Sequence, residues 1–236
     1  MSLVKLPLVI SSTLAVHVAC TPPHQPSRGE IIKPTMYERF MIYVAKNSMR
    51  SITGVYWLGA VAEIAAILAK NIDPTLVPQA LQAAVSTLRT LHETPVTPAF
   101  LFGGILTTLG GLLRWKCYRT LGRYFTFMLS VRKEHKLVTS GPYAWVRHPA
   151  YTGLMMCLVG LSVMHGSRDS FLRASGISRV PGVQPLAVAW IAGLAFANVG
   201  LLKRMRAEDE VMKAAFGQEW DRWASKVKYM LIPGIY

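Results

Sequence analysis

Five stretches of this chain are almost free of charge, and together they decide what the rest can fold into. They run over Leu6–Cys20, Ser51–Ala69, Pro98–Leu113, Ala150–His165 and Pro185–Leu202, and Glu63 is the only ionised side chain within them. A bilayer core of ~30 Å is crossed by about 20 helical residues, with ~17 as the usual lower end. The second and fifth stretches reach that length. The other three are shorter and would be completed by polar-aromatic flanks such as Trp115 and Tyr151. One such stretch alone would suit a buried helix of a soluble protein. Five in 236 residues, with only 16% charged residues, point to a membrane protein. Disorder is excluded by the apolar content. A disulfide scaffold or a cysteine metal site is excluded by three distant cysteines, Cys20, Cys117 and Cys157. The expected fold class is all-α, a polytopic membrane helix bundle of about five transmembrane helices.

The basic residues test that expectation independently. With the N-terminus lumenal and all five segments spanning, the cytosolic parts are residues 21–50, 114–149 and 203–236. They hold 20 of the 26 Lys and Arg residues; the opposite side keeps Lys5, Lys70, Arg89, Arg168, Arg173 and Arg179. This is the positive-inside bias of a protein with a cytosolic C-terminus. It also accounts for the net charge of +14 without a nucleic-acid partner, for which no binding motif is present. Residues 1–20 have some features of a signal peptide, but His17 and Cys20 fit a cleavage site poorly, so the first span is expected to be retained. Small residues recur four apart at Gly103, Thr107 and Gly111, and again at Ala189, Gly193 and Ala197. Each set predicts a face where helices approach closely. Glu63 is expected to serve helix packing or face a cavity.

Chemistry concentrates in the loop before the fourth span, His135–Tyr151, which reads H-K-L-V-T-S-G-P-Y-A-W-V-R-H-P-A-Y. Gly141-Pro142 predicts a turn, and Pro149 suits the first position of a helix. Two histidines, tyrosines and an arginine around two prolines suggest a pocket at the membrane surface. After the fifth span, K-R-M-R-A-E-D-E continues with helical periodicity to a stop at Phe216-Gly217. Arg204 and Glu208 stand four apart and share a face.

The run L-V-T-S-G-P-Y-A-W-V-R-H-P-A-Y-T-G, then R-x-x-x-E, then F-G-Q-E-W, resembles the isoprenylcysteine carboxyl methyltransferase family. The resemblance covers residues 98–236, a core of three spans with the loop and the C-terminal helix. Residues 1–97, with two spans, carry no motif of it. The resemblance implies an integral-membrane enzyme, of the endoplasmic reticulum, that binds S-adenosyl-L-methionine and methylates prenylated cysteine. Carried over by motif, cofactor contacts would come from His135, Lys136, Leu137 and Val138, then Tyr143, then His148, Pro149, Ala150 and Tyr151, and finally Glu208. Arg204 would hold the substrate carboxylate, and no metal is implied. The family's glutamine upstream of His135 is absent; Met128 or Ser130 stands in its region. The double acid reads Glu208-Asp209, and the terminal L-I-P-G-I-Y also resembles sterol reductases. The prolyl-alanyl pair of R-H-P-A-Y favours a methyltransferase over an NADPH-dependent reductase. A carboxylate-gripping Arg204 would have little use in a phospholipid methyltransferase. A non-catalytic membrane scaffold would bind cofactor without turnover.

Overall fold

A computed structural model of the protein describes residues 2–24, 36–127 and 135–235. Among them every regular element is helical. The helices are α1 (Leu6–Cys20), α2 (Met36–Asn71), α3 (Gln79–Arg89), α4 (Pro98–Leu121), α5 (Pro149–Gly166), α6 (Phe171–Ala174), α7 (Val183–Phe216) and α8 (Gln218–Lys226). Among the described residues, three segments are long and apolar enough to cross a membrane: Leu3–Cys20, Arg50–Asn71 and Pro149–Ala174. They contain the first, second and fourth charge-poor stretches. The third and fifth stretches fall inside α4 and α7, which both run on into charged sequence. α4 continues through Arg114, Lys116 and Arg119, and α7 through Lys203 to Phe216. Apolar side chains such as Leu14, Leu58, Phe102, Leu109 and Val159 project outward from these helices. Such an apolar exterior is what hydrocarbon, rather than water, tolerates.

Helix α4 is the centre of the bundle. Thr97 caps its start, accepting a hydrogen bond from the Phe100 amide at 3.1 Å, with Pro98 at the first helical position. One face of α4 packs against α5 and another against α1. The α5 contact is made backbone to backbone. A Cβ on Gly110 would lie 2.6 Å from the Gly153 carbonyl oxygen, and one on Gly103 would lie 2.6 Å from that of Gly160. Gly104 and Gly111 instead meet Leu8 and Ala15 of α1. The expected single stripe of Gly103, Thr107 and Gly111 is therefore corrected. At 3.6 residues per turn, a shift of seven restores a face and a shift of eight leaves it. Gly103, Thr107 and Gly110 face α5, while Gly104, Thr108 and Gly111 face α1, where Thr108 meets Ser11 at 3.1 Å. The stripe at Ala189, Gly193 and Ala197 reaches side chains outside the described residues.

A buried ion pair holds the start of α1. Lys5 Nζ lies 2.6 Å from Glu63 Oε1, donates to Thr94 Oγ1 at 3.0 Å and sits 4.5 Å from the centre of the Phe100 ring. Of the two roles expected for Glu63, helix packing or facing a cavity, the structure shows packing: its carboxylate joins α1 to α2. At the other end of α1, Arg114 of α4 donates to the Ala19 carbonyl at 2.8 Å, and Tyr118 donates to that of Val18 at 3.0 Å. These are carbonyls of the last turn of a helix, where a cation is also favoured by the helix dipole; that of Val18 also accepts the Thr21 amide.

Candidate active site

The site is built at the start of α5. Gly141, at φ +61°, opens a short turn over Gly141–Ala144, a conformation that suits glycine. The chain then runs through Arg147 and His148 into α5, with Pro149 at its first position. Tyr143 is buried here in a cluster with Cys117, Tyr118, Phe125 and Ala150. Burial pushes its hydroxyl far above the usual tyrosine range, and a hydrogen bond with the Cys117 thiol acts in the same direction. Tyr143 is therefore a neutral support beneath the turn. The indole of Trp223 on α8 donates to the Tyr143 carbonyl at 3.2 Å and clamps the turn from outside.

The last residues complete the frame. The amides of Arg147 and His148 donate to the carbonyls of Tyr229 and Met230 at 2.9 and 2.8 Å. Thr152 Oγ1 donates to the Leu231 carbonyl at 2.7 Å. From beneath, Arg114 Nη1 donates to the Ala150 carbonyl at 2.9 Å. The R-H-P-A-Y turn is thus held from the bundle interior by α4 and from the surface by the C-terminal tail.

Helix α7 brings the second motif to this turn. The Tyr151 hydroxyl donates to Glu208 Oε2 at 3.0 Å. Asp209 Oδ1 lies 3.0 Å from His148 Nε2, and Asp209 Oδ2 lies 3.2 Å from Arg147 Nη1. The rings of His148 and Tyr151 are tilted 55° to each other, with centres 5.7 Å apart. Arg204, one helical turn before Glu208, donates to the Phe127 carbonyl. His135 stacks on Tyr124 at 4.5 Å between ring centres and meets the edge of Phe216 at 5.5 Å. Val138 packs against the Tyr143 cluster, while Lys136 is exposed and Leu137 half-buried.

His148, Pro149, Ala150, Tyr151 and Glu208 therefore converge, and Arg204 stands one turn away along the same helix. His135 reaches the far end of α7 at Phe216. Met128 and Ser130 lie outside the described residues. Sequence reasoning noted Asp209 only as half of a double acid, yet it is the partner of both Arg147 and His148. Arg114 opens the basic cytosolic part 114–149 in the charge division, yet that residue is buried. The signal for Arg114 was present: it continues the α5-facing series Gly103, Thr107 and Gly110 at three- and four-residue steps.

Residues 104–172 match the Isoprenylcysteine carboxyl methyltransferase (ICMT) family. Over 128 residues the chain is 31% identical to protein-S-isoprenylcysteine O-methyltransferase B of Arabidopsis thaliana, covering 53% of this chain and 55% of that protein. Over 64 residues it is 39% identical to protein-S-isoprenylcysteine O-methyltransferase of Mus musculus, covering 26% and 23%. A 34% identity to the Saccharomyces cerevisiae protein of the same name spans 64 residues, 26% of this chain and 27% of that protein. The chain spans about half the length of the first of these relatives and about a quarter of the other two.

Proposed function

We propose that this relative of the isoprenylcysteine carboxyl methyltransferases is itself a protein-S-isoprenylcysteine O-methyltransferase. It transfers a methyl group from S-adenosyl-L-methionine to the C-terminal α-carboxylate of a prenylated cysteine. The observation that carries this reading is the junction of the two motifs. Tyr151 meets Glu208, and His148 meets Asp209, at one end of an apolar helix bundle, with Tyr151 and His148 inside the family-matched segment.

The side chains fit the cofactor chemically. The Glu208 carboxylate suits a cationic ligand with ribose hydroxyls, and the His148 and Tyr151 rings offer faces to a nucleoside. When bound, S-adenosyl-L-methionine supplies an electrophilic methyl group. The chain's own task is orientation and exclusion of water. A cysteine α-carboxylate, with a pKa of ~3.5, is already ionised at neutral pH, so no general base is required. Arg204 suits a carboxylate because guanidinium presents a two-pronged, permanently charged fork. A carboxylate is a stronger acceptor than the Phe127 carbonyl that now engages this side chain. Alignment of nucleophile and methyl donor supplies several kcal/mol of the barrier. Too firm a grip on the ground-state carboxylate would lower kcat.

The membrane setting follows from the substrate. A prenyl chain gains ~0.8 kcal/mol per CH₂ kept out of water, so it stays in the bilayer while the carboxylate reaches the polar rim. The same reading takes five spans, with α4 and α7 joining the three apolar segments. It puts the N-terminus in the lumen and the C-terminus in the cytosol of the endoplasmic reticulum. The 20-to-6 division of basic residues supports that orientation. The test uses the purified chain with radiolabelled S-adenosyl-L-methionine. N-acetyl-farnesylcysteine, its methyl ester and phosphatidylethanolamine are offered in parallel. Base-labile label in the free acid alone is expected. Labelling of phosphatidylethanolamine, or of nothing while the cofactor still binds, would overturn the proposal.

A further inference from the structure

The end of the bundle remote from His148 carries a second polar cleft. α5 has 18 residues, so at 1.5 Å per residue its two ends are about 27 Å apart, close to the thickness of a bilayer core. Beyond its C-terminus, the segment after α3 and the segment around α6 enclose a cleft of about 200 Å³. Thr90 and His92 form one wall; Arg173, Ser175, Gly176 and Arg179 form the other.

One wall is fixed by contacts outside the cleft and the other by its own turns. Two residues past His92, Thr94 is buried and accepts a hydrogen bond from Lys5, whose ammonium pairs with Glu63. Across the cleft, the Ser175 amide donates to the Phe171 carbonyl and the Arg179 amide to that of Gly176, each at 2.9 Å. The three cationic or cationisable side chains of the lining make no ion pair among the described residues. Among the described residues no carboxylate lines the cleft. Glu93, next to His92, lies 3.6 Å from Lys70, and Asp73 accepts from Thr75. Two uncompensated guanidiniums form an anion-selective donor set, best matched by phosphate oxygens; the Ser175 and Thr90 hydroxyls donate instead to the Leu172 and Thr87 carbonyls, at 3.1 and 2.7 Å.

Size and surroundings narrow the ligand. Pockets for drug-sized molecules and cofactors run to about 300–1,000 Å³, so this cleft suits a phosphate group with little attached polar matter. Apolar side chains flank the two arginines: Leu172 precedes Arg173 and Val180 follows Arg179, and both are about half exposed. A cationic cleft with an apolar rim, one bilayer thickness from the methyl-transfer site, matches a lipid whose headgroup is charged and whose tails lie alongside. We propose that this cleft binds the phosphate of an anionic phospholipid in the leaflet opposite the methyl-transfer site. The proposal is independent of the reaction performed at the other end.

The experiment uses the full chain in two settings. In detergent, inorganic phosphate is the probe. In nanodiscs, phosphatidylcholine alone is compared with phosphatidylcholine containing phosphatidylglycerol. Thermal unfolding is followed in both, and native mass spectrometry counts retained phosphatidylglycerol. Wild type is expected to gain thermal stability from phosphatidylglycerol. The double variant Arg173→Gln/Arg179→Gln should lose that gain and bind the lipid about tenfold more weakly or worse. Arg168→Gln removes an exposed charge that does not line the cleft and should behave as wild type. Stabilisation by inorganic phosphate that equals that of the lipid would make the ligand a free anion and overturn the lipid assignment. An equal response from wild type and double variant, or an equal loss in Arg168→Gln, would overturn the site.

Discussion

Lysine and arginine carry the same charge in different shapes, and at position 204 the difference separates two roles. A carboxylate held by the guanidinium fork is worth about 1.5–3 kcal/mol as a charge-assisted contact. Arg204→Lys is therefore expected to lower kcat/KM about 10- to 150-fold, with affinity for the demethylated cofactor nearly unchanged. A surface charge that merely neighbours Glu208 would tolerate lysine, so near-normal turnover would remove the carboxylate-holding role. Glu208→Ala should do the reverse. It removes the acceptor of the Tyr151 hydroxyl, a 3.0 Å contact, from the proposed cofactor pocket, so titration with the demethylated cofactor should show weakened binding in a folded protein. Asp209 is set apart by its partners. It faces Arg147 and His148 rather than Tyr151, so its part is to hold the R-H-P-A-Y turn in place.

At the scale of helices, α4 and α5 meet backbone to backbone. The Gly110 and Gly153 backbones meet with no room for a methyl group, and overpacking of this kind costs about 1–3 kcal/mol. Gly110→Ala should lower the unfolding midpoint in detergent by several degrees. Gly59→Ala is the control, because nothing lies within 4 Å of a Cβ placed there; it should leave the midpoint unchanged or raised. The Lys5–Glu63 pair allows a cycle. Glu63→Ala leaves a buried ammonium beside Thr94 and is expected to cost about 3–5 kcal/mol, while Lys5→Met/Glu63→Leu should recover most of it. If Glu63→Ala alone left stability untouched, the pair would not be holding α1 to the bundle. Hydropathy could locate these helices but not their contacts. Charge-poor stretches revealed where α1, α2, α4, α5 and α7 lie. They did not reveal that α4 continues as helix past Arg114, because an extension with one polar face loses the apolar signal without losing the helical one; the continuation of α7 to Phe216 is legible instead in the helical periodicity of its polar residues. The glycines of α4 were visible too, but dividing them between two neighbours required knowing that α4 sits between α1 and α5.

Across the whole molecule, the candidate site depends on chain ends that its motifs do not mention. The residue types of R-H-P-A-Y and R-x-x-x-E were legible because their side chains carry the chemistry. The support given by residues 229–231 was not, because backbone carbonyls accept hydrogen bonds whatever their side chains are. That tail receives the Arg147 and His148 amides and the Thr152 hydroxyl. Three hydrogen bonds of about 0.5–1.5 kcal/mol each make the tail a substantial part of what fixes the turn against α7. Ending the chain after Lys226 should therefore weaken binding of the demethylated cofactor by about tenfold or more. The contacts of α1 with α4, made by Arg114 and Tyr118, should be retained, since they are made with the Ala19 and Val18 carbonyls of α1. Isothermal titration, together with protection of the α4 amides from hydrogen exchange, distinguishes the outcomes. Weak binding with α4 still protected supports a local frame built by the tail. Wild-type affinity in the shortened chain would mean that α4 and α7 hold the turn unaided. Loss of α4 protection would mean that the tail stabilises the bundle as a whole rather than the site.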